Sequence, residues 1–250
     1  MKTLAFYNLK GGVGKTTVAV NFAYLAALEG KRTLLWDLDA QGGATFHFRI
    51  SSSTVSEDDT LPESHEKRPI ERLIKPSNYD HLDLIPANFK IRHLDVVLKD
   101  IKKGTRVLAK LIQALVPLYD YLFFDCPASI SLLAQSIFRT ADYLIMPVIP
   151  TTLSFQTFQR VQYHLSRQGQ ERARMIPFFS MVDQRKTLHR EIMARYGEEE
   201  HFCKSFIPTR STIEKMGRYR APLFEFDSDS KAVDEYKALW EEIKIRISSI

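Results

Sequence analysis

Ten consecutive residues, Asn8, Leu9, Lys10, Gly11, Gly12, Val13, Gly14, Lys15, Thr16 and Thr17, have the side chains and spacing of a phosphate-binding loop. Small residues at 11, 12 and 14 let backbone N–H groups close around an anion, and a helix beginning near Lys15 adds the positive end of its dipole. The Lys15 amine can bridge terminal phosphates and the Thr16 hydroxyl can enter a magnesium shell, with Val13 and Thr17 completing the cradle. The strict form of the motif has glycine five positions before Gly14, where this chain has Leu9. Every chemical part survives that departure.

Two acidic segments complete the constellation. Asp37 and Asp39 stand in WDLDAQGG, where Asp39 can turn toward phosphates while Asp37 supports the magnesium shell; Gln41, Gly42 and Gly43 then form a loop suited to sensing a terminal phosphate. In YLFFDCP, an apolar run delivers Asp125, a carboxylate placed to hold magnesium through water. No NKxD-type guanine signal occurs, which favours ATP over GTP. Met181, Val182 and Pro208, in later loops, fit the walls of a base site and ordinary packing at strand ends equally well.

These groups need elements to hold them. TLAFYN (3–8) and RTLLWDLD (32–39) read as strands around a helical window at 15–28. Further strand candidates are 81–87, 121–126, 143–149, 175–182 and 203–207, with intervals long enough for crossover helices. The expected fold is α/β, a P-loop NTPase whose mostly parallel sheet is covered by helices on both faces, with residues 1–250 forming a single domain. Residues 51–67 are polar and aperiodic, as in a surface excursion. Near the end, Ser230 can cap a helix whose apolar stripe runs through Val233, Tyr236, Trp240, Ile243 and Ile247.

Charge is unevenly spread. Residues 160–220 hold 13 basic and 7 acidic side chains, a local +6, whereas the flanks together sum to −1. Such a segment suits an anionic partner such as nucleic acid. Its candidate contacts are Arg210, Lys215, Arg218 and Arg220, with Lys186 and Arg190 nearby; a plain solvated surface is the alternative. Two cysteines far apart, Cys126 and Cys203, fit reduced thiols, and no apolar window is long enough for a membrane span, so a soluble cytoplasmic protein without membrane partners is expected.

Together KGGVGKTT, DLDAQGG and DCP resemble the ParA/MinD family of deviant-Walker ATPases, and its ParA/Soj partition branch in particular. VNFAYLA, VIPTTLSFQ, SMVD and FIPTRSTIEKMGRYRAPLFEFDSDSKAVDEY extend the resemblance over nearly the whole chain. The resemblance implies that Lys10 is the signature lysine reaching a partner subunit's phosphates, that Lys15 binds its own subunit's phosphates and that Asp39 is the catalytic switch aspartate. Thr16, Asp37 and Asp125 would surround Mg2+ beside ATP. It further implies a nucleotide-dependent homodimer on nonspecific DNA, nucleoid-associated, with hydrolysis stimulated by a ParB-like or cargo-adaptor protein. Two departures stand out: DAQGG replaces the family's DPQGN, and Thr212 stands where an arginine is common. Competing readings are a related ATPase that positions a protein cargo and a metabolic P-loop ligase or reductase component.

Overall fold

The computed structural model describes residues 1–50, 70–87, 107–168, 174–197 and 201–248; the 51–67 excursion lies outside them. In chain order the strands are β1 (Lys2–Phe6), β2 (Thr33–Asp37), β3 (Lys75–Pro76), β4 (Leu82–Ile85), β5 (Tyr121–Asp125), β6 (Tyr143–Val148), β7 (Arg174–Val182) and β8 (Ile207–Pro208). The helices are α1 (Lys15–Leu28), α2 (Gly43–His47), α3 (Val107–Gln113), α4 (Leu132–Thr140), α5 (Thr152–Gln168), α6 (Thr187–Tyr196), α7 (Ser211–Tyr219) and α8 (Lys231–Ser248). The sheet runs β3-β4-β2-β5-β1-β6-β7-β8 and is parallel except for the two-residue edge strand β3.

Strands buried on both faces need mostly apolar side chains, and β2 and β5 supply them as LLW and YLFF ahead of their aspartates. Alternation then sorts the side chains. Leu34, Trp36, Leu122 and Phe124 pack under α3, α4 and α5, whereas Leu35 and Phe123 face α1 and α8. On the second face Trp240 of α8 meets Phe22 of α1 at 5.2 Å and Phe123 at 5.9 Å between ring centroids. The apolar stripe foreseen on α8 is buried from Val233 to Ile247, and Ser230 Oγ accepts the Val233 N–H at 3.4 Å.

The strand expected at 203–207 is displaced, because β8 is only Ile207–Pro208. Side chains of α8 occupy the preceding backbone instead. Glu242 accepts the N–H groups of Lys204 and Ser205 at 2.9 and 2.8 Å, and Arg246 Nη2 donates to the Phe202 carbonyl at 2.7 Å. Those groups are satisfied without a ladder, so the strand starts later.

Candidate functional site

The loop between β1 and α1 lies where the sheet order reverses, with β5 on one side of β1 and β6 on the other, the crevice in which open α/β sheets bind ligands. Gly12 and Gly14 adopt φ of 68° and 93°, left-handed values that permit the tight turn into α1. Two side chains pin this turn with three hydrogen bonds. Asn8 Nδ2 donates to the Pro147 carbonyl at 2.7 Å while its Oδ1 accepts the Lys10 N–H at 2.9 Å, and Ser180 Oγ donates to the Val13 carbonyl at 2.9 Å. A side chain at position 14 would come within 3.2 Å of that Ser180 oxygen.

Lys15 is buried, its amine 3.4 Å from the Lys10 carbonyl. Burial lowers its pKa, and the negative charge of Asp125 opposes that shift. An ammonium held in this way is short of partners and therefore primed for an incoming anion. The Lys10 side chain is half-buried and has no hydrogen-bonding or ionic partner among the described residues.

Register explains how two acids meet. Asp37 and Asp125 are direct partners across the β2–β5 ladder, and Phe6 pairs with Asp125 across β1–β5. Both aspartates follow residues of the α1 face by two positions, so both carboxylates lean toward the side holding Lys15 and Thr16. Their bonding differs sharply. Asp37 Oδ2 accepts the Thr45 N–H and hydroxyl, each at 2.8 Å, and Oδ1 accepts the Asp39 N–H at 3.2 Å. Neither oxygen of Asp125 has a hydrogen-bond partner among the described residues, although both are buried. Burial and the Asp37 charge push Asp125 well above the usual carboxylate range, with Thr16 and Lys15 opposing. Burial also raises Asp37, to about 6.

A buried carboxylate pair in which one member, Asp125, has both oxygens orphaned beside a threonine hydroxyl is a donor set that a hard divalent cation would satisfy. The residues present therefore fit magnesium, with Asp125 and Thr16 best placed for it and Asp37 largely engaged in shaping the next loop. Asp39 lies beyond β2, and its Oδ1 accepts the Gln41 N–H at 2.9 Å. Met181 and Pro208 come together at the ends of β7 and β8: Val182 pairs with Pro208, Thr209 N–H bonds the Val182 carbonyl, and Met181 is left partly exposed at φ 53°. Val182 is core.

The family model for the AAA domain matches residues 1–174. The chromosome-partitioning ATPase Soj of Treponema pallidum is 29% identical over 257 residues, covering 98% of both chains. A virulence-plasmid ParA family protein of Chlamydia psittaci is 31% identical over 195 residues, covering 77% of this chain and 74% of its own. The chain belongs to the ParA/MinD family of ATPases, in its ParA/Soj branch. Solved structures agree on the fold. A Borrelia burgdorferi plasmid partition protein bound to AMPPNP superposes with a TM-score of 0.83 at 18% identity, over 98% of this chain and 99% of its own. A cobyrinic acid a,c-diamide synthase of Mycobacterium smegmatis with bound ADP and magnesium gives 0.79 at 20% identity, over 99% and 96%. The ParA/MinD fold is thus shared with a biosynthetic enzyme, and sequence rather than shape separates the two.

On this ParA/MinD scaffold the six basic candidates divide. Lys186 precedes α6, and Arg190 reaches the Gln184 carbonyl and Thr187 hydroxyl at 3.4 and 3.3 Å on its exposed first turn. Lys215 and Arg218 are exposed on α7, Arg218 lying 5.9 Å from the Tyr219 ring. Arg210 is committed elsewhere: it forms a two-pronged ion pair with Glu235 of α8, one prong at 2.8 Å. Arg220 is likewise turned inward, onto α2. Sequence reasoning assigned no role to Asn8, Thr45 or Ser180, the side chains that hold the loops in shape. Their signal is only polarity, near a strand end for Asn8 and Ser180 and in the short helix α2 for Thr45, which many turn and surface residues share.

Proposed function

We propose that this protein is a partition ATPase that closes around two ATP molecules as a homodimer, binds DNA phosphates without reading bases while closed, and lets go after hydrolysis stimulated by a partner protein. The observation that carries the reading is Lys10: a loop lysine whose backbone is fixed by Asn8 while its amine has no intrachain partner among the described residues. A lysine so placed suits phosphates presented from a second subunit. The family membership and the ParA-type relatives support the same reading.

Within one subunit, the loop amides and Lys15 would bind the phosphates. Thr16 and Asp125 would hold magnesium, which when bound supplies positive charge to the phosphate oxygens. Asp39, one oxygen tied to Gln41, keeps its other oxygen to orient the attacking water. Lys10 and Lys15 then neutralise charge developing on the transferred group. The exposed cations Lys186, Arg190, Lys215 and Arg218 supply the DNA face, with Met181 and Pro208 flanking the base. No helix among the described residues is long and apolar enough to cross a membrane.

The test is direct. Size-exclusion chromatography and duplex retention with ATP, ADP and no nucleotide, across a salt series, should show an ATP-selective dimer whose DNA affinity falls with salt. Lys10→Ala should abolish the dimer while leaving ATP binding by the monomer. Dimerisation and stimulated turnover surviving that substitution would defeat the two-nucleotide closure.

A further inference from the structure

α2 and α7 end side by side, and each is followed by an arginine in the left-handed conformation, Arg49 at φ 56° and Arg220 at φ 47°. Glycine is the residue that normally takes this position after a helix, because a side chain there is strained. The two arginines exchange partners. Arg220 Nε donates to the Phe46 carbonyl at 3.1 Å, and its guanidinium lies 4.7 Å over the Phe46 ring. Arg49 Nε and Nη2 donate to the carbonyls of Arg220 and Tyr219 at 3.2 and 2.8 Å. Each cation therefore meets the last carbonyls of the other helix, where orphan acceptors and the negative end of the dipole favour it.

The opposite end of α2 touches the nucleotide machinery. A Cβ at Gly43 would fall 2.9 Å from Thr16 Cγ2, so the helix starts against the proposed magnesium threonine. Thr45 donates twice to Asp37 and accepts the Ala87 N–H at 2.8 Å, tying α2 to the ends of both β2 and β4. α2 has five residues and spans only about 7 Å. One short, stiff turn therefore links the loop bearing Asp37 and Asp39 to the end of the helix bearing Lys215 and Arg218.

We propose that Arg49 and Arg220 are positioning residues forming a latch through which the nucleotide loop sets the placement of α7, and with it the cations of the DNA face. This inference rests on the DNA-binding reading given above. α7 has anchors of its own, since Met216 is buried against Asn21 and Tyr219 stacks on Phe226, so it can remain folded when the latch is open. What the latch adds is direction: a shift of the 37–49 loop on gain or loss of the terminal phosphate is delivered to the C-terminal carbonyls of α7.

Glycine is the informative substitution, because it accepts left-handed backbone without strain while deleting the guanidinium. Arg49→Gly and the Arg49→Gly, Arg220→Gly double variant are to be compared with the unaltered protein by two readouts. The first is the ratio of duplex affinity with ATP to that with ADP. The second, which needs no DNA, is hydrogen exchange across residues 211–219 with and without a nonhydrolysable ATP analogue. The unaltered protein should show nucleotide-dependent exchange in α7 and an affinity ratio of roughly 5- to 150-fold, the usual range for coupled sites; the double variant should lose the exchange response and fall to within about twofold. Arg49→Gly should keep its ATP affinity and basal turnover. If Arg220 served only as a DNA contact, both affinities would fall in parallel and the ratio would hold. Nucleotide-dependent exchange persisting in the double variant, or absent from the unaltered protein, overturns the latch. Exchange that follows the prediction in a protein binding no DNA with any nucleotide would instead overturn the DNA reading and leave the latch standing.

Discussion

Acidification from neutral pH should stabilise this protein when it is free of nucleotide and magnesium. Asp37 is pushed up to about 6 from an ordinary 3.8, chiefly by burial and in smaller part by Asp39, against the lowering effect of hydrogen bonds from Thr45 and the Asp39 amide. Asp125 shifts in the same direction, through burial and then through Asp37. A carboxyl whose folded pKa exceeds its unfolded value binds more protons in the native state between the two values, so the unfolding free energy falls as pH rises from about 4 through about 6. For Asp37 the rise of about 2 units is equivalent to about 3 kcal/mol at neutral pH, a large share of a typical domain's stability. Asp183, lowered to about 2 by Arg185, acts below this window, whereas His47 and His189, both lowered by burial, oppose the trend within it and are common to the unaltered protein and its Asp125 variant, so the difference between those two curves isolates the acidic pair. Urea unfolding in a chelator, followed by circular dichroism from about pH 7.5 down to about pH 5, reads the effect directly. Asp125→Asn, which removes a charge with no hydrogen-bond partner, should flatten the curve and raise stability at the neutral end. Magnesium with ATP should oppose the trend, because it engages the ionised carboxylates. An Asp125→Asn curve parallel to that of the unaltered protein between those pH values would refute the account of the acidic pair.

Gly43→Ala places a methyl 2.9 Å from the stiff Thr16 side chain and should weaken magnesium-dependent ATP binding, read by isothermal titration calorimetry, more than magnesium-free nucleotide binding. Trp240→Ala opens a cavity among Phe22, Tyr121 and Phe123 and should cost about 3–5 kcal/mol in urea unfolding. Arg210→Ala breaks a partly exposed ion pair with Glu235, costs about 1 kcal/mol or less, and leaves the salt dependence of duplex binding unchanged. Lys215→Ala, by contrast, should reduce the slope of log affinity against log salt by about 1.

The framework of this molecule was legible because its signals are local. The KGGVGKTT loop, the apolar runs ending in Asp37 and Asp125, and the stripe on α8 each depend on neighbours within a few residues, and α1 begins and ends where its pattern does. The register that places Asp37 opposite Asp125 follows once β2 and β5 pair in parallel. Long-range pairing was not legible. That Arg210 belongs to Glu235, or that Glu242 and Arg246 replace a ladder at residues 202–205, depends on partners 25 to 44 positions away. The basic segment behaved similarly: its summed charge does not tell which side chains are free, and only the fold separates exposed Lys215 and Arg218 from Arg220, whose charge is turned onto α2.

The two tryptophans of the chain happen to divide between the two layers. Trp36 lies under the α3–α5 side, tilted against Phe124 and one residue before Asp37, while Trp240 lies in the α1–α8 layer with its indole N–H on Glu29. Both are 1% exposed. Replacing either with phenylalanine leaves a protein with a single tryptophan, whose emission can be excited selectively over that of the ten tyrosines, and one layer under observation. Coincident red shifts in urea would mean that the sheet melts with both coats at once. Separated shifts would identify the coat that loosens first, and quenching of Trp36 alone on ATP addition would give an optical signal of loading that needs no label.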